Sequence, residues 1–330
     1  MSANIINSWS HRPGHHCAST ALSDVMNYYQ SPLSEAMCIG LGSAPASYYL
    51  KIPGTSPSRI FHTRSPHLEK NFFHSLNIPF EWKTDPAPHA VSETEKSLLN
   101  QSIPIMLRVD LKYLKYYNTS TSFSGHVVLM WGYDDEAEQV FLSDTHFEGL
   151  QTVPYDDIRQ ARYSSALPFP LSGEWCGIRV DYSKLRLEEA ILRALRAGCG
   201  QNLSGGGDFA GVAGIRLLAD ELPQWSEASD WQWCLRFAYQ IIEKRGTGGG
   251  AFRKLYAGFF EEACEFCPAV SDPSFARKMH EIAALWTEAS NLLKAASEKN
   301  TPPDLTDISE TFRKIADEEE AFYKRILEKL

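Results

Sequence analysis

The sequence contains no run of eighteen apolar residues, which excludes an apolar membrane-spanning helix. Residues Met1 to Ser8 lack a basic segment followed by an apolar one, so we expect no signal peptide. Cysteines are few and odd in number: 17, 38, 176, 199, 234, 264 and 267. Scattered in this way they form no disulfide framework and imply reduced thiols in a cytoplasmic setting. The pair Cys264 and Cys267 has no second pair to complete a zinc site, and the histidines show no paired ligand spacing, so we expect no metal. Positive charge is in deficit, with a formal net charge of -9, which disfavours nucleic acid and anionic membrane as partners. Of the two glycine-rich loops, 198–207 and 246–250, the second lacks a phosphate-loop spacing and a preceding strand, which argues against nucleotide hydrolysis.

What is present is a chain of 330 residues, enough for two cores. The first part, 1–184, reads as α+β. Helical patterns are expected at 33–41, 66–76 and 91–101. Strands are expected at 47–52, 78–82 (an edge strand, since it carries Pro79), 103–110, 125–134, 139–144 and 176–180, and a short helix begins within 153–158. From 185 to 330 nearly every segment is helical: 186–197, 211–222, 230–244, 251–266, 273–298 and 306–329. The fifth opens on Asp272-Pro273, an N-cap followed by proline in the first turn.

The stretch that organises the rest is Pro13-Gly14-His15-His16-Cys17. Beyond Cys17, Leu22, Val25, Met26 and Tyr29 fall at helical spacing, and Gln30-Ser31-Pro32 ends the pattern. A glycine turn thus delivers a cysteine to the first turn of a helix, where free N–H groups and the macrodipole favour a thiolate. We therefore expect the Cys17 thiol to titrate below the ordinary thiol value. A buried structural cysteine is the alternative. A nucleophile needs a base and an orienting carboxylate. His126 opens the most apolar strand, and Asp144 ends its hairpin partner. With the turn centred on Asp135-Glu136 the two would lie nearly opposite, with Cβ atoms about 5 Å apart, so that the carboxylate sets the imidazole tautomer.

Cysteine on a helix, then histidine opening a strand, then aspartate on the next strand is the order of papain-like enzymes. Residues 11–30 and 125–149 resemble the N-terminal domain of the butirosin biosynthesis protein H family, itself similar to bacteriocin-leader peptidases of the papain clan. The helical half, with Arg236-Phe237-Ala238-Tyr239-Gln240 through Gly248-Gly249-Gly250-Ala251-Phe252-Arg253, resembles the uncharacterised domain that follows it in that family. The resemblance implies a papain-like domain at 1–184 and a helical domain at 185–330. It implies an acyltransferase that moves an acyl group from the phosphopantetheine arm of an acyl carrier protein to a small amine acceptor. Natural-product (antibiotic) biosynthesis is the implied setting. Carried over by motif, Cys17 is the nucleophile, His126 the base and Asp144 the orienter, and the chain needs no cofactor of its own.

The leader peptidases place a glutamine six residues before the cysteine for the oxyanion hole, where this chain has His11. The hole then needs the Cys17 N–H with another donor: His11 itself or a backbone group near Gly14, with His16 also close by. The triad alone equally suits a cysteine peptidase or a thioesterase, and a protein that only binds is a third reading. The second glycine loop, with Gly248 and Gly249 before Arg253 and Lys254, is the candidate contact for the phosphopantetheine phosphate. We expect the helical domain to cover the active-site cleft, and leave open a homo-oligomer.

Overall fold

A computed structural model describes residues 3–167 and 169–330. In chain order the elements are β1 (Asn4–Ile5), α1 (Cys17–Tyr28), α2 (Glu35–Leu41), β2 (Pro45–Lys51), β3 (Arg59–Arg64), α3 (Leu68–Ser75), α4 (Glu93–Asn100) and β4 (Ile105–Val109). There follow β5 (His126–Asp134), β6 (Gln139–Asp144), β7 (Phe147–Pro154), α5 (Tyr155–Arg162) and β8 (Trp175–Gly177). The remaining helices are α6 (Leu187–Leu203), α7 (Gly211–Glu221), α8 (Trp231–Glu243), α9 (Arg253–Ala263), α10 (Ser274–Ser297) and α11 (Thr306–Leu327).

The chain divides into two compact units. One comprises the residues up to Glu35 with Ile78–Leu185; the other comprises Ala36–Asn77 with Arg186–Leu330. The C-terminal run of helices opens with α6 at Leu187. Residues 36–77, read as part of the sheet domain, belong instead with the helices. A two-stranded ribbon is not stable alone, and β2–β3 buries one face among helices of the second unit. Phe61 stacks on Trp286 with centroids 5.5 Å apart, and Tyr49 on Trp225 at 5.9 Å.

In the first unit the strands run β7-β6-β5-β4-β8, all antiparallel, with β1 joining beyond the bulge of β5. The continuous apolar run of β5 reflects burial on both faces from His126 to Gly132. Gly132 is needed for space: a Cβ there would lie 2.2 Å from the Asn4 carbonyl oxygen of β1. Helix α1 turns Leu22, Val25 and Met26, all fully buried, into the core, and Gln30, just past its C-cap Tyr29, has φ of 59°.

One local expectation fails, and two strands appear that the sequence did not suggest. Residues 78–82 form no strand, because Pro79 offers no N–H and Phe80 turns edge-on to Trp82; only Lys83 bridges to Trp175. Residues 147–154 form β7, a half-exposed edge strand with too little apolar alternation to stand out. Strand β3, with exposed polar positions, has the same weak signature. No described helix is long and apolar enough to cross a membrane.

Candidate functional site

The loop before Cys17 is tied down through its backbone donors. Arg12 N–H donates to Asp24 Oδ1 (3.3 Å), Gly14 N–H to the Thr145 carbonyl (2.7 Å), and His15 and His16 N–H to the Glu35 carboxylate (2.9 and 2.7 Å). His16 is the N-cap of α1, and its Nδ1 accepts the Ser19 N–H. Cys17 is therefore the first residue of the helix, partly exposed and a free thiol. Gly14 is required by space: a Cβ would lie 2.2 Å from Thr20 Oγ1 and 3.0 Å from Glu35 Oε2.

His126 and Asp144 meet as the hairpin reading requires. Nε2 of His126 lies 2.8 Å from Asp144 Oδ1 and 3.0 Å from Oδ2. The register differs from the expected one. Residues 135–138 form the turn, and a bulge falls between Met130 and Gly132, so Leu129 pairs with Ser143 and Asp144 sits diagonally to His126. The side chains still span the diagonal. With Nε2 engaged by the carboxylate, Nδ1 is the nitrogen left for Cys17, which lies near enough to act on the imidazole.

Burial alone would lower the imidazole's proton affinity. The charge and hydrogen bond of Asp144, with those of Cys17, outweigh it and bring His126 up to about 10. Burial would likewise raise the Asp144 carboxyl, but His126 and two tyrosine hydroxyls hold it below its ordinary range. These tyrosines escape a reading of the sequence. Tyr116 donates to Asp144 Oδ2 (2.6 Å) and Tyr117 to Oδ1 (3.0 Å), while the Tyr117 ring stands edge-on to His126 with centroids 5.4 Å apart. Burial and the Asp144 charge push both hydroxyls well up, so both remain donors. Their loop is pinned by Asp110, which accepts Lys112 N–H (3.1 Å), Phe123 N–H (2.8 Å), Ser164 Oγ–H (2.7 Å) and the Ser122 hydroxyl. The tyrosine-rich composition of 112–124 was the only trace of this in the sequence.

The other expected site residues fall into two groups. His11 is buried against α1, with Nδ1 2.6 Å from Asp24 Oδ2. The Gly14 N–H is committed to the Thr145 carbonyl, and His16 Nδ1 to the helix cap. The glycine loop of the second unit does not present a phosphate cradle. Arg253 is fully buried, held by Glu319 through Nε (2.8 Å) and Nη2 (2.9 Å) and by the Ala251 carbonyl (2.8 Å). Gly249 N–H donates to Thr247 Oγ1 and Gly250 N–H to Glu243 Oε1. Gly248 packs with a left-handed φ of 66°, and Lys254 leans toward Glu243 with Nζ 4.0 Å from Oε2. An arginine beside glycines reads as a ligand contact on the page of a sequence; here it fastens a turn in which Ala251 and Phe252 also have positive φ.

Among the described residues no three or more histidine, cysteine or acidic side chains are grouped to hold a metal. A cysteine at a helix N-terminus, with an imidazole beside it and a carboxylate behind, is an arrangement suited to acyl chemistry. The family model described as Butirosin biosynthesis protein H, N-terminal, matches residues 16–145, and one described as a domain of unknown function (DUF4872) matches 156–326. The chain belongs to the butirosin biosynthesis protein H family. No curated protein matches it.

Proposed function

We propose that the first unit is a papain-like catalytic unit and that the protein is an acyltransferase of natural-product biosynthesis. Its donor is an acyl thioester on the phosphopantetheine arm of an acyl carrier protein, and its acceptor is a small amine. The observation that carries this reading is the His126 imidazole held by Asp144 at 2.8 Å, with Cys17 acting on it from the start of α1. Family membership supports a biosynthetic role. The seven free thiols suit a cytoplasmic setting.

In the resting pair Cys17 has given its proton to His126, and in the first half-reaction its sulfur attacks the thioester carbonyl as a thiolate. The tetrahedral oxyanion forms against the first-turn N–H groups of α1. Its collapse breaks the bond to the pantetheine sulfur, which takes the proton from His126 and leaves as a thiol. In the second half the amine attacks the Cys17 thioester, His126 accepts the amine proton, and the C–S bond breaks to give the amide. The Cys17 sulfur leaves as a thiolate beside the His126 imidazolium, which restores the resting pair. Asp144, fixed by Tyr116 and Tyr117, stabilises the imidazolium in both halves.

The test is to supply a carrier-bound acyl thioester with and without an amine and to follow the products by mass spectrometry. Amide formation that Cys17→Ala abolishes supports the reading. Release of free acid alone, at a rate the amine does not change, would make the protein a thioesterase. Cleavage of peptides instead would make it a peptidase, and no reaction with intact folding would leave a protein that only binds.

A further inference from the structure

The outer face of the β2–β3 ribbon carries charges that the chemistry at Cys17 does not use. Along β3, Phe61 and Thr63 are buried, so Ile60, His62 and Arg64 lie on the opposite face. Tyr48 of β2 is the direct partner of His62 across the ribbon. Helix α8 packs against β3, where Asp230 Oδ2 accepts the Ser58 N–H (2.8 Å), and Arg245 follows the end of that helix. Arg64 and Arg245 both lie near enough to act on the His62 imidazole.

Neither arginine meets a carboxylate among the described residues. Arg64 Nη1 donates to the Ser65 carbonyl (3.1 Å). Arg245 donates through Nε (3.2 Å) and Nη2 (2.8 Å) to Gln240 Oε1, and its guanidinium lies over the Phe237 ring, 4.8 Å from the centre. Burial pushes the Arg245 guanidinium below its usual range, and no acid offsets this. Other arginines of the same unit are matched: Arg216 holds Asp317 and Glu320, Arg236 holds Glu298, and Arg325 holds Asp272. Aspartate and glutamate outnumber lysine and arginine by 41 to 32 in the chain. Two neighbouring arginines without an acid therefore stand out against an acidic background.

His62 is exposed, yet desolvation and the two guanidinium charges bring it down to about 4. It stands in a recess that is open to solvent, neutral at pH 7, with one ring N–H to donate. The two guanidinium groups keep their charge at any ordinary pH. Their planar forks match the oxygens of a phosphate group, and their two charges match a dianion. The Phe237 ring under Arg245 and the Tyr48 ring, paired with His62, add an aromatic surface beside these donors. We propose that His62, Arg64 and Arg245 bind the phosphate group of a phosphate monoester, with Phe237 and Tyr48 against its organic part. The site does not depend on the chemistry at Cys17.

Isothermal titration calorimetry of the full chain with phenyl phosphate, inorganic phosphate and acetate, at pH 7.5 and matched ionic strength, tests the site. The wild type should bind phenyl phosphate at one site, inorganic phosphate more weakly, and acetate not at all. Arg64→Gln and Arg245→Gln should each weaken phenyl phosphate about 10–100-fold, the worth of one charge-assisted hydrogen bond. Arg236→Gln, which removes a guanidinium already paired with Glu298, should leave binding unchanged. Each of the first two variants removes an unbalanced charge, so without ligand it should melt at or above the wild-type midpoint. In the wild type, phenyl phosphate should also raise the His62 titration midpoint from about 4, read by proton NMR of its ring. Absence of binding, equal binding of acetate, or binding that survives Arg64→Gln/Arg245→Gln would overturn the proposal. Binding of a polyglutamate peptide in place of phenyl phosphate would also overturn it and make the patch a protein-docking surface. Melting midpoints that fall in both single variants would assign the arginines to structure.

Discussion

Arg253 gives the sharpest test of how the second unit is held together. Arg253 and Glu319 are both 0% exposed at their side chains, and the guanidinium also donates to the carbonyls of Ala46 (3.2 Å), Thr63 (3.4 Å) and Ala251 (2.8 Å). It lies over the Trp286 ring, 4.9 Å from its centre. In Arg253→Met much of the volume is kept, but Glu319 is left with the Trp286 indole N–H (2.7 Å) against its carboxylate. Removing one partner of a buried ion pair costs about 3–5 kcal/mol. For a unit of this size that corresponds to a fall of about 6–20 °C in the melting midpoint. Loss of the bond to Ala251 also releases the left-handed turn at Ala251 and Phe252, whose strain is of order 1–3 kcal/mol per residue. Replacing both partners, as in Arg253→Met/Glu319→Leu, should restore most of the midpoint, since an apolar pair is often as stable as a buried ion pair. Thermal unfolding followed by circular dichroism reads both variants. An Arg253→Met protein that melts with the wild type, yet needs more carrier-bound donor for half-maximal rate, would refute the structural role and return Arg253 to ligand binding.

Two further predictions concern the first unit. Asp144→Asn should slow acyl transfer by up to about 10⁴-fold, and Tyr116→Phe/Tyr117→Phe less, whereas Asp134→Asn, whose carboxylate only caps the turn at Glu136 and Ala137, should be silent in steady-state assays. His126, raised to about 10, should be imidazolium at pH 8 in a nitrogen-15 NMR spectrum, where an ordinary histidine is neutral. Because the folded value lies above the unfolded one, its stabilisation is complete below about pH 6.5 and is lost as pH rises toward 10. Relative to His126→Gln, wild-type stability should therefore fall by about 1.4 kcal/mol per pH unit across that window, and a flat difference would show a neutral imidazole.

The parts of the site that lie on strongly patterned elements were legible in the sequence. Cys17 could be placed because a glycine turn and an apolar stripe through Leu22, Val25 and Met26 mark one end of α1, and His126 and Asp144 because their hairpin is the most apolar in the chain. Their pairing was legible only to within a diagonal, since the bulge near Trp131 has no local signature. The clamp of Tyr116 and Tyr117 on Asp144 was not legible, because it depends on Asp110 fastening a loop through residues as distant as Ser164. Nor was the burial of Arg253, whose partner Glu319 is 66 positions away. The ribbon at 36–77 was assigned to the wrong unit because a strand pattern shows that a face is apolar without showing what covers it.

The central claim is that Cys17 accepts an acyl group with His126 and Asp144 behind it. Intact-mass spectrometry of the protein mixed with an acyl-pantetheine thioester, followed by peptide mapping, tests it most directly. The account predicts one acyl group, on Cys17, absent in Cys17→Ala and formed far more slowly in His126→Gln. An acyl group on another cysteine, or equal labelling of wild type and Cys17→Ala, would contradict it.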